Sequence, residues 1–432
     1  MLPGDDGGGI DAAAADASAD LTVGPPYTLS VTITGSGTGA VASSPSGIQC
    51  SSGTCAAQFS NQMVTLTATV AQGSYFAGWA GDCARAQRSC VVAVNQARSV
   101  TATFAAIEQN LVFVSSQTYA ANLGSAAMYD QRCNQLATAA GINSVGNNAY
   151  VALMRDGSRE FVDVLGTARG FVRVDGAPIA DTVVDLVNSS PIYNNIGLDE
   201  NGVEVRDGEA MNGIGDAVIY TCQSWTTNAN NRYLFPGNTS SGPLRWIYSF
   251  SDHNCSDVFH VYCFMKTRTV ALTPATSTGK KIYLTTNPFF PGGGIAGANA
   301  QCDAYKPMGT SGTGKALLAT TTASAASLLH AVNYVRPDGL LVGSGAELSL
   351  GIVHTGIWQR GDGGYVFGSA WSGTEFMTQT ASANNNCNDW TSSAMGDDGL
   401  IGDDHSVTTW WSNTAFDPGA CSTGLRIRCF EE

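Results

Sequence analysis

Twelve cysteines fall into three groups of four along a chain of 432 residues, and their spacing constrains the fold more than any other feature. The groups are Cys50, Cys55, Cys83 and Cys90; Cys133, Cys222, Cys255 and Cys263; and Cys302, Cys387, Cys421 and Cys429. Successive steps are 89, 33 and 8 residues in the second group, and 85, 34 and 8 in the third. Two ladders so nearly equal mark an internal duplication, which sets the domain map before any local pattern does. No close Cys-x2-Cys pair of the zinc type occurs. An even count in each group favours disulfides, and hence a secreted or outer-surface location. Spacing alone leaves three pairings open within each group.

Composition narrows the function classes. With 44% hydrophobic and only 13% charged residues, the chain is neither disordered throughout nor a coiled coil. It has no run of about 18 apolar residues, so no transmembrane helix is expected. A net charge of −14 argues against a nucleic-acid partner, whose phosphates need clustered Lys and Arg. The first twenty residues (MLPGDDGGGIDAAAADASAD) carry five Asp and no base, and 1–26 reads as a flexible tether. This stretch lacks the positive and apolar regions of a signal peptide. It is similar to the segment that follows the lipid-bearing cysteine of bacterial surface lipoproteins. That likeness implies a signal and a lipid anchor on an upstream cysteine outside this sequence.

Residues 27–106 read as a small all-β domain. Tyr27 to Ile33, Met63 to Val70 and Arg98 to Phe104 alternate β-branched or aromatic residues with small polar ones, the pattern of half-buried strands. Turn clusters are expected at Gly35 to Gly39 and Gly78 to Asp82. Cys50/Cys55 and Cys83/Cys90 are each close enough to staple a local hairpin, as small secreted domains often need. Through GSGTGAV, Gly78-Trp79 and the two cysteine pairs, the module resembles the divergent internalin-type β-repeat of bacterial surface proteins. The resemblance implies a stalk or spacer, and Trp79 reads as a core residue.

The duplicated modules span 107–268 and 280–432, with 269–279 as linker. Each opens on an extended segment, Leu111 to Ser115 or Lys281 to Thr285. Each then has a short helix around its first cysteine, Ser125 to Ala137 or Ala296 to Tyr305. In the first copy Ala126, Tyr129, Cys133 and Leu136 share one helical face. Val174-Asp175-Gly176 and Arg336-Pro337-Asp338-Gly339 are hairpin markers, because Asp-Gly supplies positive φ. Cys222 to Trp225 and Cys387 to Trp390 repeat Cys-x2-Trp, and Trp246 and Trp410 also correspond. Each copy ends on a strand with a Cys-Phe pair.

Four cysteines in this order, closing on Cys-Phe, resemble the C-type-lectin-like fold, and within it the endostatin-like branch of bacterial surface proteins. The resemblance implies two α+β heads, disulfide-stapled, after the β-repeat stalk. It also implies nested pairing: Cys133 with Cys263, Cys222 with Cys255, Cys302 with Cys429, and Cys387 with Cys421. Such pairing brings the ends of each head together, as in a bead on a string. Spirochaete lipoproteins of this branch are adhesins. The implied function is therefore non-enzymatic adhesion to a protein or glycan ligand. Thr226 to Asn254 and Thr391 to Ala420 are the expected contact loops. A structural envelope spacer and a carbohydrate-binding adjunct to a secreted enzyme are the alternatives.

Candidate sites are few. The Glu-Pro-Asn, Gln-Pro-Asp and Trp-Asn-Asp motifs of sugar-binding C-type lectins are absent; Pro337-Asp338 and Asn388-Asp389 are fragments. Calcium is the one candidate cofactor, through Asp397, Asp398, Asp403 and Asp404 beside His405. A solvated acidic loop is the competing reading, since Asn228 to Asn231 lie in the matching region of the first copy. Asp199-Glu200-Asn201-Gly202 with Glu204 and Asp207 forms a weaker acidic cluster. His253 and His260, with Asp252 and Asp257, make a poor zinc set. His330 and His354 stand alone. Trp358 and Trp371 have no partner in the first copy and are the expected exposed ligand contacts. No nucleophile elbow, zinc helix or phosphate loop points to an enzyme.

Overall fold

The structure is a computed structural model that describes residues 26–83, 87–143, 148–156, 159–188, 190–212, 220–249, 251–413 and 418–432. The tether expected over 1–26 lies outside the described residues except for its last member. The described chain is multi-domain and mostly β, with few helices and six disulfides. None of its helices is long and apolar enough to cross a membrane.

Alternation in the first module becomes eight strands: β1 (Tyr27–Thr34), β2 (Gly39–Ser44), β3 (Gln49–Cys50), β4 (Thr54–Phe59), β5 (Gln62–Val70), β6 (Ser74–Gly81), β7 (Ser89–Val94) and β8 (Arg98–Ala106). They form two four-stranded sheets, in the orders β4-β1-β8-β6 and β3-β2-β5-β7. Leu29, Val31, Val100 and Phe104 of one sheet share an apolar cluster with Val64, Leu66 and Val92 of the other. Cys50–Cys55 joins the two sheets at the β3–β4 turn, and Cys83–Cys90 ties the end of β6 to β7. The turn expected at Gly78 to Asp82 is instead mostly strand. β6 runs on to Gly81, with Gly78 at positive φ where the register against β8 shifts. Trp79 is buried and donates Nε1 to Gln87 O at 2.9 Å.

Both heads use one topology. The sheet of the first runs 178–182, 169–173, 110–114, 258–265, 209–211, 237–238; that of the second runs 341–344, 333–335, 280–284, 426–431, 369–371, 401–403. Opening and closing strands pair antiparallel at the centre. Being covered on both faces, the closing strands are buried at successive positions rather than alternate ones: Val261–Met265 in the first head, and Ile427–Phe430 in the second, where the run includes the charged Arg428. Each head's helix, Ala126–Ala139 or Gly294–Ala304, packs its cysteine inward and is bridged to that strand. Leu136 is only half-buried, and Ala137 takes the inward place beside it. The disulfides are nested: Cys133–Cys263 encloses Cys222–Cys255, and Cys302–Cys429 encloses Cys387–Cys421. The outer bridges close loops of 130 and 127 residues, a constraint worth about 4–5 kcal/mol each on the loop-entropy account.

These modules are not separate beads. The stalk's apolar cluster continues through Ile107 into Leu111, Phe113 and Tyr129 of the first head. Arg88 crosses the same boundary, donating to Ala140 O at 2.9 Å and Glu200 O at 3.3 Å. The heads meet directly as well, and that contact builds the site below.

Candidate functional site

Matching hydrogen bonds set the residue equivalences between the heads. Leu198 O accepts from Val114 N, and Gln359 O accepts from Leu284 N, so Leu198 corresponds to Gln359. Stepping back along each chain, Gly197 matches Trp358, Asn195 matches Gly356, and Ile192 matches Val353. A second anchor is the sheet register. Ala210 and Gly237 pair as Ala370 and Gly402 do, so Ser241 matches Ser406. Thr239 N bonds Gly208 O, and its counterpart Asp404 N bonds Gly368 O.

The heads dock about a local pseudo-two-fold axis. Ser241 and Ser406 form an antiparallel bridge, flanked by Gly242 N to His405 O at 2.7 Å and Val407 N to Ser240 O at 3.0 Å. Each bond is the symmetry counterpart of the other, as in an isologous dimer interface. The tips of the two expected contact loops are therefore consumed by pairing with each other. Among the described residues of these loops, Thr226, Asn228, Asn230 to Tyr233, Ser251 and Asp252 stay exposed in one head, and Thr391, Ser393 to Asp398 and Pro418 in the other.

Away from the axis the symmetry breaks. Trp358 of the second head is fully buried and donates Nε1 to Ile192 O of the first at 2.8 Å. Beside it Thr355 Oγ1 donates to Tyr193 O at 2.7 Å, and Tyr193 meets Tyr365 edge-on at 6.4 Å. Two glycines make room for the indole: a Cβ on Gly356 would lie 1.9 Å from the ring, and one on Gly242 2.7 Å from it. Arg336 lies 5.4 Å from the ring centroid, within cation–π range, and pairs with Asp338 at 2.7 Å. Burial pushes the Asp338 carboxyl up, but Arg336 and the hydrogen bonds around it carry it below the usual carboxylate range.

On the other side of the axis the first head repeats the Arg–Asp pair and its backbone bond, but not the ring or the two glycines beside it, whose places are taken by Asn195 and Val407. Arg173 pairs with Asp175 at 2.8 Å and donates to Asn195 O at 3.2 Å, just as Arg336 donates to Gly356 O. Asp175 is likewise held low: burial opposes its charge, and Arg173 and backbone N–H groups outweigh that. Where Trp358 would stand there is Gly197. The result is an open cleft of about 580 Å³, lined by Arg173, Asn195 and Gly197 of the first head and Val353, His354 and Val407 of the second. Gln87 of the stalk reaches its wall, so all three modules contribute.

The sequence-derived site residues fare unevenly. Trp358 and Trp371, expected to be exposed, are both fully buried. Trp358 is spent on the head–head contact; Trp371 packs on Trp390 at 5.7 Å and donates to Phe289 O. The four calcium-candidate aspartates do not converge. Asp397 and Asp398 are exposed, Asp397 accepting from Ser392 Oγ. Asp403 is buried, accepting from Thr409 and Asn413, and Asp404 is buried beside Arg426 at 3.2 Å. Among the described residues no three His, Cys, Asp or Glu side chains gather as a metal site would require. The weaker cluster also has structural duties. Asp199 Oδ1 accepts from Asn201 N and Val203 N, and Glu200 binds Ser116. His253 pairs with Glu209, and His260 bonds Ser115 O. Sequence reading missed Arg173 and Arg336; their signal is Arg-x-Asp-Gly at the same place in both copies.

Comparison with known proteins adds one positive finding: residues 27–108 match the family model of the divergent InlB B-repeat domain. That match covers the first module and supports its reading as a bacterial repeat domain. No curated protein matches the chain.

Proposed function

We propose that this chain is a non-enzymatic binding protein of the bacterial surface, in which a repeat stalk carries two C-type-lectin-like heads that recognise a protein ligand. Secretion, with anchoring by lipid on an upstream cysteine, fits the six disulfides and the likeness of the stalk to a surface-protein repeat. The observation that carries the reading is the cleft at the head–head junction, a concave site no single module forms. A protein ligand is favoured over a glycan because all eight tryptophans are at most 5% exposed, leaving no indole platform for a sugar face. Against catalysis, all twelve cysteines are in disulfides. One ring nitrogen each of His260 and His405 bonds a backbone carbonyl, and one each of His253 and His354 a carboxylate.

The interlocking of the three modules also suits a spacer, which is the second reading. An array of matrix proteins and glycans, probed with the whole chain with and without chelator, separates the two. Chelator-insensitive binding to a protein is expected. An array on which nothing is bound would leave the spacer in its place.

A further inference from the structure

We infer that the second head binds a primary carboxamide, as on a glutamine side chain of a protein partner, in a cavity that the first head closes with Arg159. The inference goes beyond the junction cleft, with which this cavity shares no lining residue. Hydrogen bonds equate the two heads around it. Asp130 Oδ1 accepts from Ala152 N, and Asn299 Oδ1 accepts from Ala316 N, so Asp130 matches Asn299 and Ala152 matches Ala316. The helices agree, since Asp130 and Asn299 stand at the same offset before Cys133 and Cys302. Met154 and Leu318 follow the two alanines at equal offsets. A turn then closes by Asp156 N to Arg159 O in one head and Thr320 N to Ala323 O in the other, so Arg159 matches Ala323.

In the first head the Arg159 guanidinium occupies this place. It forks onto the Asp130 carboxylate at 2.8 and 2.9 Å. Nη2 also donates to Ala152 O, and Nε donates to Met154 O at 3.1 Å. With Ala323 in the matching position, the second head keeps the acceptors and lacks the arginine. A cavity of about 560 Å³ lies there, lined by Asn299, Ala316, Leu318 and Ala323, with Leu328 and Phe430 as apolar wall. Ala316 and Leu318 are at most 3% exposed, and among the described residues no N–H donates to the carbonyl of either. Buried carbonyls of this kind ask for a donor.

One difference between the copies decides what kind of group supplies it. Asn299 Oδ1 is fixed by the Ala316 N–H, so Asn299 Nδ2 takes the position of Asp130 Oδ2. A guanidinium would set N–H against N–H there, and a carboxylate would set oxygen against the Ala316 carbonyl oxygen. A primary carboxamide satisfies both groups. Its N–H2 donates to Asn299 Oδ1 and Ala316 O, as Nη2 of Arg159 does to Asp130 Oδ1 and Ala152 O, and its oxygen accepts from Asn299 Nδ2. Leu318 O is left for a backbone N–H of the same ligand. The single N–H of an N-acetyl sugar cannot serve both acceptors, so a protein side chain is favoured. Lys315 and Glu432 also line the cavity but are ion-paired with each other at 3.2 Å, so neither calls for a charged ligand. The apolar wall covers the methylenes of a glutamine.

The test uses the whole chain and ligand-observed NMR with the N-acetyl N′-methylamides of glutamine, glutamate, methionine and arginine. The glutamine compound is expected to bind roughly ten-fold or more tightly than each of the others, because only it pairs every polar group it meets. Asn299→Asp installs the residue of the first head and keeps an acceptor for Ala316 N. It is expected to turn the preference from glutamine to arginine. Asn299→Asp with Ala323→Arg rebuilds the closed arrangement of the first head and is expected to abolish binding of all four compounds. The single variant keeps the outcome from hanging on the double one folding. Absence of glutamine binding, equal binding of methionine, a preference unchanged by Asn299→Asp, or glutamine binding that survives in the folded double variant would overturn the inference.

Discussion

Trp358 shows how one side chain can join two domains. Its ring lies between the heads, fully buried, and its one polar atom is satisfied by the opposite head. Trp358→Ala is expected to cost about 3–5 kcal/mol, the range for a large aromatic removed from a packed site, and a thermal melt would read it. Trp371→Ala should cost a similar amount but act within the second head, without loosening the junction. The two buried Arg–Asp pairs impose a pH dependence. In each, the folded carboxyl lies below its unfolded value near 3.9, so the pair's contribution is complete above about pH 4 and is lost as pH falls through the folded value. Melts between pH 7 and pH 2 should fall steeply only in the acid range. Asp338→Asn, which leaves the fully buried Arg336 without its carboxylate, should already be destabilised by about 3–5 kcal/mol at pH 7. A variant as stable as wild type at neutral pH would show that Arg336 is satisfied by its other partners. Neither tryptophan's burial was legible in the sequence. Lack of a counterpart in the other copy looks the same whether a residue faces a ligand or a neighbouring domain.

At the scale of elements, the Cys-x2-Trp segments stand out. Cys222 to Trp225 and Cys387 to Trp390 each hold four consecutive non-glycine residues at φ between 49° and 67°. They form single left-handed turns closed by Trp225 N to Thr221 O and Trp390 N to Asn386 O, both 2.8 Å. A left-handed residue with a side chain costs roughly 1–2 kcal/mol, so each turn must be held from outside. The disulfide fixes its first residue. The indole N–H fixes its last, donating to Arg155 O or Ala319 O at 2.9 Å. Gln223 is exposed, so Gln223→Gly relieves strain without removing a core contact. It should raise stability by about 1 kcal/mol, while Gln223→Val should lower it by more, both read from denaturant midpoints. Equal effects of Gly and Val would mean that the turn is not strained in solution. The sequence displayed the repeat of Cys and Trp but not its hand, because neither residue type favours positive φ and tertiary ties impose it. Strand alternation in the stalk and Asp-Gly at the two hairpins were legible, since there local chemistry and final geometry agree: Gly176 and Gly339 sit at φ 87° and 88°. The cleft was not legible, because it lies between domains and depends on where Gly197 and Trp358 fall about an axis that no linear pattern marks.

The whole molecule is held by contacts that differ in kind from those within each module. Every disulfide lies inside one module, so none crosses the 269–279 linker. That linker is itself laid on both heads: Leu272 N donates to Asp181 at 2.7 Å on the first, and Ser277 N to Gly339 O at 2.8 Å on the second. Between them Thr273, Ala275 and Thr276 are exposed. A protease site inserted between Pro274 and Ala275 would therefore cut the chain without touching either core. If the junction of Trp358, Thr355 and the Ser241/Ser406 bridge holds the heads, the two fragments should co-elute on size exclusion at micromolar concentration after cleavage. The same cut in Trp358→Ala should release them, because the variant removes the largest buried group at the junction and its hydrogen bond to Ile192 O together. Separation of the wild-type fragments would mean that the linker alone keeps the heads in register. The cleft would then form only while the chain is intact, and ligand binding should disappear with the cut. Co-elution with binding retained would show instead that the two copies work as one built-in dimer, in which duplication supplied the interface and later differences, Gly197 for Trp358 among them, left a cleft on one side of it.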